Sequence, residues 1–175
     1  HNIDNGLEQL IDAIEKIHGV KSARILYLYP STTTLDLLDK IGNSKVFHTY
    51  YDMPLQHISQ SVLKIMKRGK GSEKLKELMN HMHKFDDAFI RSTFIVGHPG
   101  ETQEDFEELC KYVKEYKFHR ANVFSYSDED GTDAYNREDK IDQDIIDKRA
   151  QILGDIITQT TTKSLEDKIG KTIQV

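Results

Sequence analysis

Two stretches of the chain each combine an apolar run, a polar turn and the start of a helical pattern. The first, YDMPLQH, covers residues 51–57, and the second, RSTFIVGHPGET, covers residues 91–102. This order is typical of parallel-sheet strands whose carboxyl ends carry a site. Pro54 cannot donate a hydrogen bond to a sheet, so strand pairing must stop near it. The two stretches therefore predict an α/β protein whose functional edge lies at the strand ends.

Apolar periodicity predicts that strands and helices alternate along the whole chain. The predicted strands cover residues 22–29, 46–52, 90–96 and 121–126, with about five helical units around them. The third run is nearly unbroken and apolar, which is expected when helices cover both faces of a strand. Strands separated by helices form parallel sheets. Four strands are too few to close an eight-stranded barrel, which leaves an open doubly wound sheet or a piece of a barrel.

Polar residues mark the predicted helix starts. The threonines before Leu35 offer helix caps, Ser72 is predicted to cap another helix, and Thr102 with Asp105 comes close to a capping box. A long helix follows residue 140, and its apolar face is predicted to use only the aliphatic stem of Arg149.

Composition excludes several classes of protein. The 175 residues are 37% hydrophobic and 30% charged, which fits a globular domain. No apolar run approaches the roughly 20 residues of a membrane span, and the first residues lack a signal-peptide pattern. A net charge of −5 argues against non-specific nucleic-acid binding. The compact basic cluster, Lys64, Lys67, Arg68 and Lys70, is interpreted as a solvated helix end.

Three loops follow predicted strands and are candidates for ligand contact, at residues 53–59, 97–102 and 125–132. Gln56 and His57 could hydrogen-bond a ligand, although local packing is an equal alternative for His57. The glycine-containing second loop is either a ligand contact or only a tight turn. Arg91 needs a partner if it is half-buried, and a ligand carboxylate would serve.

Metal binding finds little support in the residues. Cys110 is the only cysteine, so neither a disulfide nor a cysteine-held zinc or iron–sulfur site can form within the chain. It is predicted to pack in a helix face. The acidic loop at residues 128–130 is interpreted as solvated. His81 and His83 are two residues apart on a predicted helix and therefore point away from each other.

Three motifs resemble those of the radical S-adenosylmethionine methylthiotransferases, in the same order. They are YDMPLQHIS with VLKIMKRG, then RSTFIVGHPGETQEDFEEL, then VFSYSDEDGTDAY. The resemblance implies a partial (β/α) barrel of parallel strands with outer helices that lacks its first strands. It covers residues 1–169, and residues 170–175 resemble the start of a C-terminal TRAM domain. Because the first residue is not Met and the family's CxxxCxxC loop is absent, the chain is expected to be a fragment.

The resemblance also implies a reaction and a compartment. Residues 54–57, PLQH, and 126–132, YSDEDGT, favour the branch that methylthiolates an aspartate of the twelfth small-subunit ribosomal protein, in the cytoplasm. The alternatives are the branch that modifies an adenosine of transfer RNA, and a non-catalytic α/β binding module. The family uses S-adenosylmethionine and 4Fe–4S clusters, and the expectation is that this chain alone binds no cluster. An exposed sheet edge is expected to promote self-association.

The resemblance assigns cofactor contacts to the chain but neither catalytic nor metal-binding residues. His98 stands where Phe is usual in the family, and Asn122 where Gly is usual. The implied contacts are Gln56 and His57 at the ribose, Arg91 at the carboxylate, Gly97, Pro99, Gly100 and Glu101 along the adenine, and Tyr126 and Ser127 in the cavity wall.

Overall fold

The computed structural model describes residues 3–68, 71–166 and 169–172. Over these ranges three strands and six helices alternate. Their order is α1 Gly6–Glu15, α2 Leu35–Gly42, β1 Tyr50–Asp52, α3 Gln60–Ile65, α4 Gly71–Met82, β2 Phe89–Val96, α5 Gln103–Tyr116, β3 Arg120–Ser125 and α6 Gln143–Glu166. Among these described helices, none combines the length and apolar character needed to cross a bilayer.

The three strands form one parallel sheet in the order β1–β2–β3. Asp52 pairs with Arg91, and Arg91 pairs in turn with Arg120. Every connection between neighbouring strands passes through at least one helix, as parallel pairing requires. The predicted α/β class and partial barrel are confirmed.

The first predicted strand is wrong in extent. Residues 22–29 contribute only one isolated bridge, between Ala23 and Phe47. The Leu28 N–H then donates to the Asp52 carbonyl at 2.8 Å. Tyr27, between these two attachments, has a φ of 65°. A left-handed residue cannot continue a regular ladder. Residues 22–29 therefore lie beside the 47–52 segment without forming a strand.

Burial alternates along β2, which corrects the expectation that both of its faces are covered. Ile90, Ser92, Phe94 and Val96 are buried, and the residues between them are only half-buried. The buried face joins one core with apolar side chains of all six helices. The opposite face carries the half-buried side chain of Arg91 and its buried partner Asp52.

Helix starts follow the predicted capping chemistry in two cases of three. Thr34 accepts the Leu37 N–H at 3.1 Å. Thr102 and Asp105 form a full capping box. Ser72 is not a cap, because α4 begins one residue earlier and the Ser72 N–H donates to the Gln60 side chain.

Two predictions fall partly on residues that the structure does not describe. Lys70 of the basic cluster lies outside the described residues, whereas Lys67 forms an exposed ion pair with Asp133. Residues 173–175 also lie outside them, so the proposed start of a second domain at residues 170–175 stays a prediction.

Candidate functional site

The first loop leaves the sheet at Pro54 and rejoins it at Gln56. Across the break, the Ser92 hydroxyl accepts the Leu55 N–H at 3.3 Å and donates to the Met53 carbonyl at 2.9 Å. Gln56 has a φ of 68°, donates its N–H to Thr93 and accepts the Ile95 N–H. The ladder therefore stops where proline predicts, and Gln56 is held rigidly at the carboxyl edge of β2.

The second loop is a tight turn built on two glycines. Gly97 and Gly100 have φ values of 82° and 87°, a region that favours glycine. The Gly97 N–H donates to Oε2 of Glu101 at 2.7 Å, which closes the turn on itself. Any Cβ at Gly97 would lie 2.5 Å from Cγ1 of Ile146, so α6 packs directly on this turn.

A pocket of about 440 Å³ lies between the second and third loops. Four of the nine predicted cofactor contacts line it, and α6 and the segment before it close the other side. The pocket is lined by Gly97, Pro99, Ser125, Tyr126, Ser127, Asp128, Lys140, Ile141, Gln143 and Ile146. Loops from the ends of adjacent parallel strands thus meet in one concave site, as the strand-end rule predicts.

Tyr126 organises the polar side of this pocket. Its N–H donates to the Val96 carbonyl at 2.8 Å, and its hydroxyl donates to Asp128 at 2.7 Å. Burial and the bond to Asp128 raise the pKa of Tyr126 to about 12, so the phenol stays protonated at neutral pH. Asp128 also pairs with Lys140, and the His98 ring packs edge-on against Tyr126 at 5.1 Å. A histidine is thus accommodated where the family usually has Phe.

Arg91 and Gln56 present polar atoms that lack partners within the described residues. Arg91 Nη1 lies 3.5 Å from Oδ2 of Asp52, its neighbour in the sheet register, while its Nε is buried and unbonded. Gln56 Oε1 is likewise buried and unbonded. Asp52 meets Arg91 through the register of the sheet, a pairing that the sequence pattern does not indicate. Neither residue lines the pocket between the second and third loops. A buried polar atom without a partner is unusual, which marks the Arg91 donor and the Gln56 acceptor for explanation.

His57 is completely enclosed behind the first loop. Its Nδ1 accepts the Ser59 N–H at 3.0 Å, which places the ring proton on Nε2. Burial lowers the pKa of His57 to about 4, so the ring is neutral at physiological pH. Nε2 lies 3.8 Å from Oε2 of Glu101. These contacts fit the local-packing alternative, and a ribose contact by His57 stays a prediction.

Glu101 and Arg149 form a buried ion pair between the second loop and α6. Arg149 Nη1 lies 2.8 Å from Glu101 Oε1 and also donates to the Glu101 carbonyl at 3.2 Å. Burial raises the pKa of Glu101, while the Gly97 N–H and the Arg149 guanidinium oppose that rise by favouring the charged form. The expectation that Arg149 uses only its stem is wrong. A charge within the apolar face of a helix was the available signal for a buried partner.

The described residues contain no group of three or more His, Cys, Asp and Glu side chains that could hold a metal ion. His81 pairs with Asp39, and His83 bonds to the Tyr116 carbonyl, so the two rings engage different partners. Cys110 is half-buried against the core, and burial raises the pKa of its thiol to about 11.

A parallel α/β sheet with a pocket at its carboxyl edge defines the class of protein, and comparison with known proteins gives the family. The model of the radical SAM superfamily matches residues 3–113. The chain belongs to this superfamily, in agreement with the resemblance of its motifs.

Relatives and a solved structure refine this assignment. The chain is 65% identical over 174 residues to the ribosomal protein uS12 methylthiotransferase RimO of Aliarcobacter butzleri and 53% identical to that of a Sulfurovum species. Each match covers 99% of the chain and 39% of the relative, so the chain spans about two fifths of their length. Coproporphyrinogen III oxidase (HemN) from Escherichia coli shares the fold, with a TM-score of 0.70 at 20% identity over 88% of the chain and 36% of that protein.

Proposed function

We propose that this chain forms part of a radical S-adenosylmethionine enzyme that methylthiolates an aspartate of ribosomal protein uS12. The observation that carries the proposal is the 65% identity to a uS12 methylthiotransferase over 99% of the chain, all three loops included. Residues 54–57 and 126–132 have the pattern of the ribosomal-protein branch rather than the transfer-RNA branch. Residues 1–169 then belong to the radical domain and residues 170–175 begin the next domain.

The strand-end site suits S-adenosylmethionine. The unbonded Gln56 Oε1 and Arg91 Nε offer an acceptor and a donor, and the glycine turn allows close approach of a ligand to backbone. The pocket adds the Tyr126 and Ser127 side chains. When bound and cleaved, the cofactor supplies a radical that abstracts hydrogen from the substrate. We assign cofactor binding to Gln56, Arg91, Gly97, Pro99, Gly100, Tyr126 and Ser127, with His57 and Glu101 holding the loops in place behind them.

The donor set of the described residues does not suit a 4Fe–4S cluster. Such clusters need several thiolates, and Cys110 is the single cysteine of the chain, half-buried in α5 with a raised pKa. We therefore propose that the cluster ligands lie elsewhere in a protein of the relatives' length. Anaerobic reconstitution of these 175 residues with iron and sulfide should leave no stoichiometric cluster absorbance, and a stable cluster on the monomer would contradict the proposal.

The sheet edge supports a second proposal, of self-association. β3 lies at one end of the strand order, so its outer edge is unpaired among the described strands. Phe124 on this strand is 58% exposed. Unpaired edges recruit other strands, and sedimentation at high concentration should show dimers of this chain. A strict monomer would refute this proposal.

The enzymatic proposal is tested with a full-length protein that contains the chain. The reconstituted protein is incubated with S-adenosylmethionine, a reductant, a sulfur source and uS12, and uS12 is analysed by mass spectrometry. The expected product is uS12 with a methylthio group on an aspartate. The assay is kept under reducing conditions, as suits the cytoplasmic enzyme proposed here. A Gln56→Ala variant should weaken cofactor binding, whereas Gln159→Ala, on the outer part of α6, should not. Cofactor cleavage without any methylthiolated uS12 would contradict the assigned substrate.

A further inference from the structure

The two oxygens of the buried Glu101 carboxylate have different partners. Oε1 lies 2.8 Å from Nη1 of Arg149, and Oε2 accepts the Gly97 N–H at 2.7 Å. The Glu101 side chain is fully buried and that of Arg149 is 8% exposed. Because a carboxylate is planar, holding Oε1 fixes the direction of Oε2. Arg149 therefore sets the carboxylate rotation on which the closure of the 97–101 turn depends.

Arg149 is itself held in a defined orientation. One guanidinium nitrogen reaches both the carboxylate and the carbonyl of Glu101, and Nη2 lies 3.4 Å from Oε1 of Gln103. The guanidinium lies over the Phe106 ring at 5.4 Å. A planar group bonded along one edge and stacked on a ring has few alternative positions.

His57 faces the carboxylate oxygen that accepts the Gly97 N–H. Its Nε2 lies 3.8 Å from Glu101 Oε2, beyond hydrogen-bond distance, and the ring is fully buried. The charged and titratable groups around it are Asp105 on α5, His98 and Glu101 in the turn, and Arg149 on α6. Without the arginine, the buried carboxylate would lack a counter-charge. His57 is the base placed to take up a proton and so provide the missing positive charge.

We propose that Arg149 is a positioning residue, which fixes the Glu101 carboxylate so that the pocket wall at Gly97 is held in place and His57 remains a neutral packing group. The inference rests on the proposed function, because the wall that Arg149 holds is the one assigned to the cofactor. Arg149 acts through Glu101 and does not itself line the pocket. The geometry thus links α6 to the site by charge as well as by the packing of Ile146 on Gly97.

The test compares four variants of the 175-residue chain by nitrogen-15 NMR of the histidine rings and by amide hydrogen exchange. Arg149→Met removes the charge and Arg149→Lys keeps it. Arg149→Met with Glu101→Gln removes both charges, and Lys148→Met is a matched control at an exposed position of the same helix. We expect the His57 ring of Arg149→Met to bind a proton at least tenfold more tightly, so that its pKa rises by about one. Exchange of the Gly97 amide should accelerate by a similar factor.

The other variants separate positioning from simple packing. The lysine and double variants should restore a neutral His57, and Lys148→Met should leave both signals unchanged. The proposal would be overturned if the His57 ring titrated in Arg149→Met as it does in the wild type. It would also be overturned if the double variant showed the same rise in the pKa of His57 as Arg149→Met. Should Arg149→Met fail to fold, a folded double variant supports the charge argument and an unfolded one overturns it. None of these signals requires cofactor or substrate, so a failed methylthiolation assay is distinguishable from a failure here.

Discussion

Replacing Gly97 by alanine tests whether the pocket wall is built by contact between the 97–101 turn and α6. Gly97 has a φ of 82°, and a Cβ there would lie 2.5 Å and 2.7 Å from the two γ-carbons of Ile146. Gly131 has a φ of 78° and no atom within 4 Å of its Cβ position. Gly131→Ala therefore carries the backbone cost alone, and Gly97→Ala carries the backbone cost and a steric clash.

The expected magnitudes follow from these two contributions. A non-glycine residue in the left-handed region costs about 1–2 kcal/mol, and overpacking a core adds about 1–3 kcal/mol. We expect Gly131→Ala to lower the free energy of unfolding by about 1–2 kcal/mol and Gly97→Ala by about 2–5 kcal/mol. Urea unfolding followed by circular dichroism at 25 °C measures both, provided that the slope of the transition is unchanged.

A double variant identifies the clash as the cause. Ile146→Ala removes both γ-carbons that the new methyl group would meet. The Gly97→Ala substitution should therefore cost at least about 1 kcal/mol less in the Ile146→Ala background than in the wild type. Equal losses for Gly97→Ala and Gly131→Ala, within about 0.5 kcal/mol, would refute the claim that α6 closes on this turn.

Two further predictions concern Asp105 and Cys110. Burial raises the pKa of Asp105, but hydrogen bonds from Ser59, Ser61 and Thr102 outweigh it and hold the pKa at about 2. Because the folded pKa lies below the ordinary aspartate value of 3.8, the stabilisation is present above about pH 4 and is lost as pH falls towards 2. After allowance for solvent screening, Asp105→Asn should lower the free energy of unfolding by about 1 kcal/mol at pH 7 and by less at pH 3. Urea unfolding at the two pH values measures this difference, and a loss independent of pH would contradict the prediction. Burial raises the pKa of the Cys110 thiol to about 11. At pH 8 the thiol should therefore react with iodoacetamide on the order of a hundredfold more slowly in the folded chain than in the urea-unfolded chain. Equal rates would contradict the burial of Cys110.

The sequence predicted the elements whose signals are local. The Thr102–Asp105 capping box forms as expected, and the apolar run at residues 90–96 forms a strand although only one of its faces is fully buried. Caps and strands of this kind depend on neighbouring residues. The segment at 22–29 failed because its apolar residues suit a strand while Tyr27 adopts a left-handed conformation. Tyrosine is not a residue type that favours the left-handed region, so the sequence does not indicate this conformation at residue 27.

The candidate site was predictable as a location and less so as a set of contacts. Strand ends in a parallel sheet must meet at one edge, so the sequence alone predicts that Gly97 and Tyr126 lie at the same edge. The partners were not predictable, because Asp52 reaches Arg91 only through the sheet register and Arg149 reaches Glu101 from a helix 48 residues further along the chain. Long-range pairs of this kind leave no periodic trace in a single sequence.

A substrate competition tests the central claim most directly. A full-length protein that contains this chain is reconstituted anaerobically and offered uS12 and transfer RNA in one reaction with S-adenosylmethionine, a reductant and a sulfur source. Mass spectrometry of both substrates should find the methylthio group on an aspartate of uS12 and leave the RNA unmodified. Methylthiolation of an adenosine with unmodified uS12 would contradict the assignment of these loops to the ribosomal-protein branch.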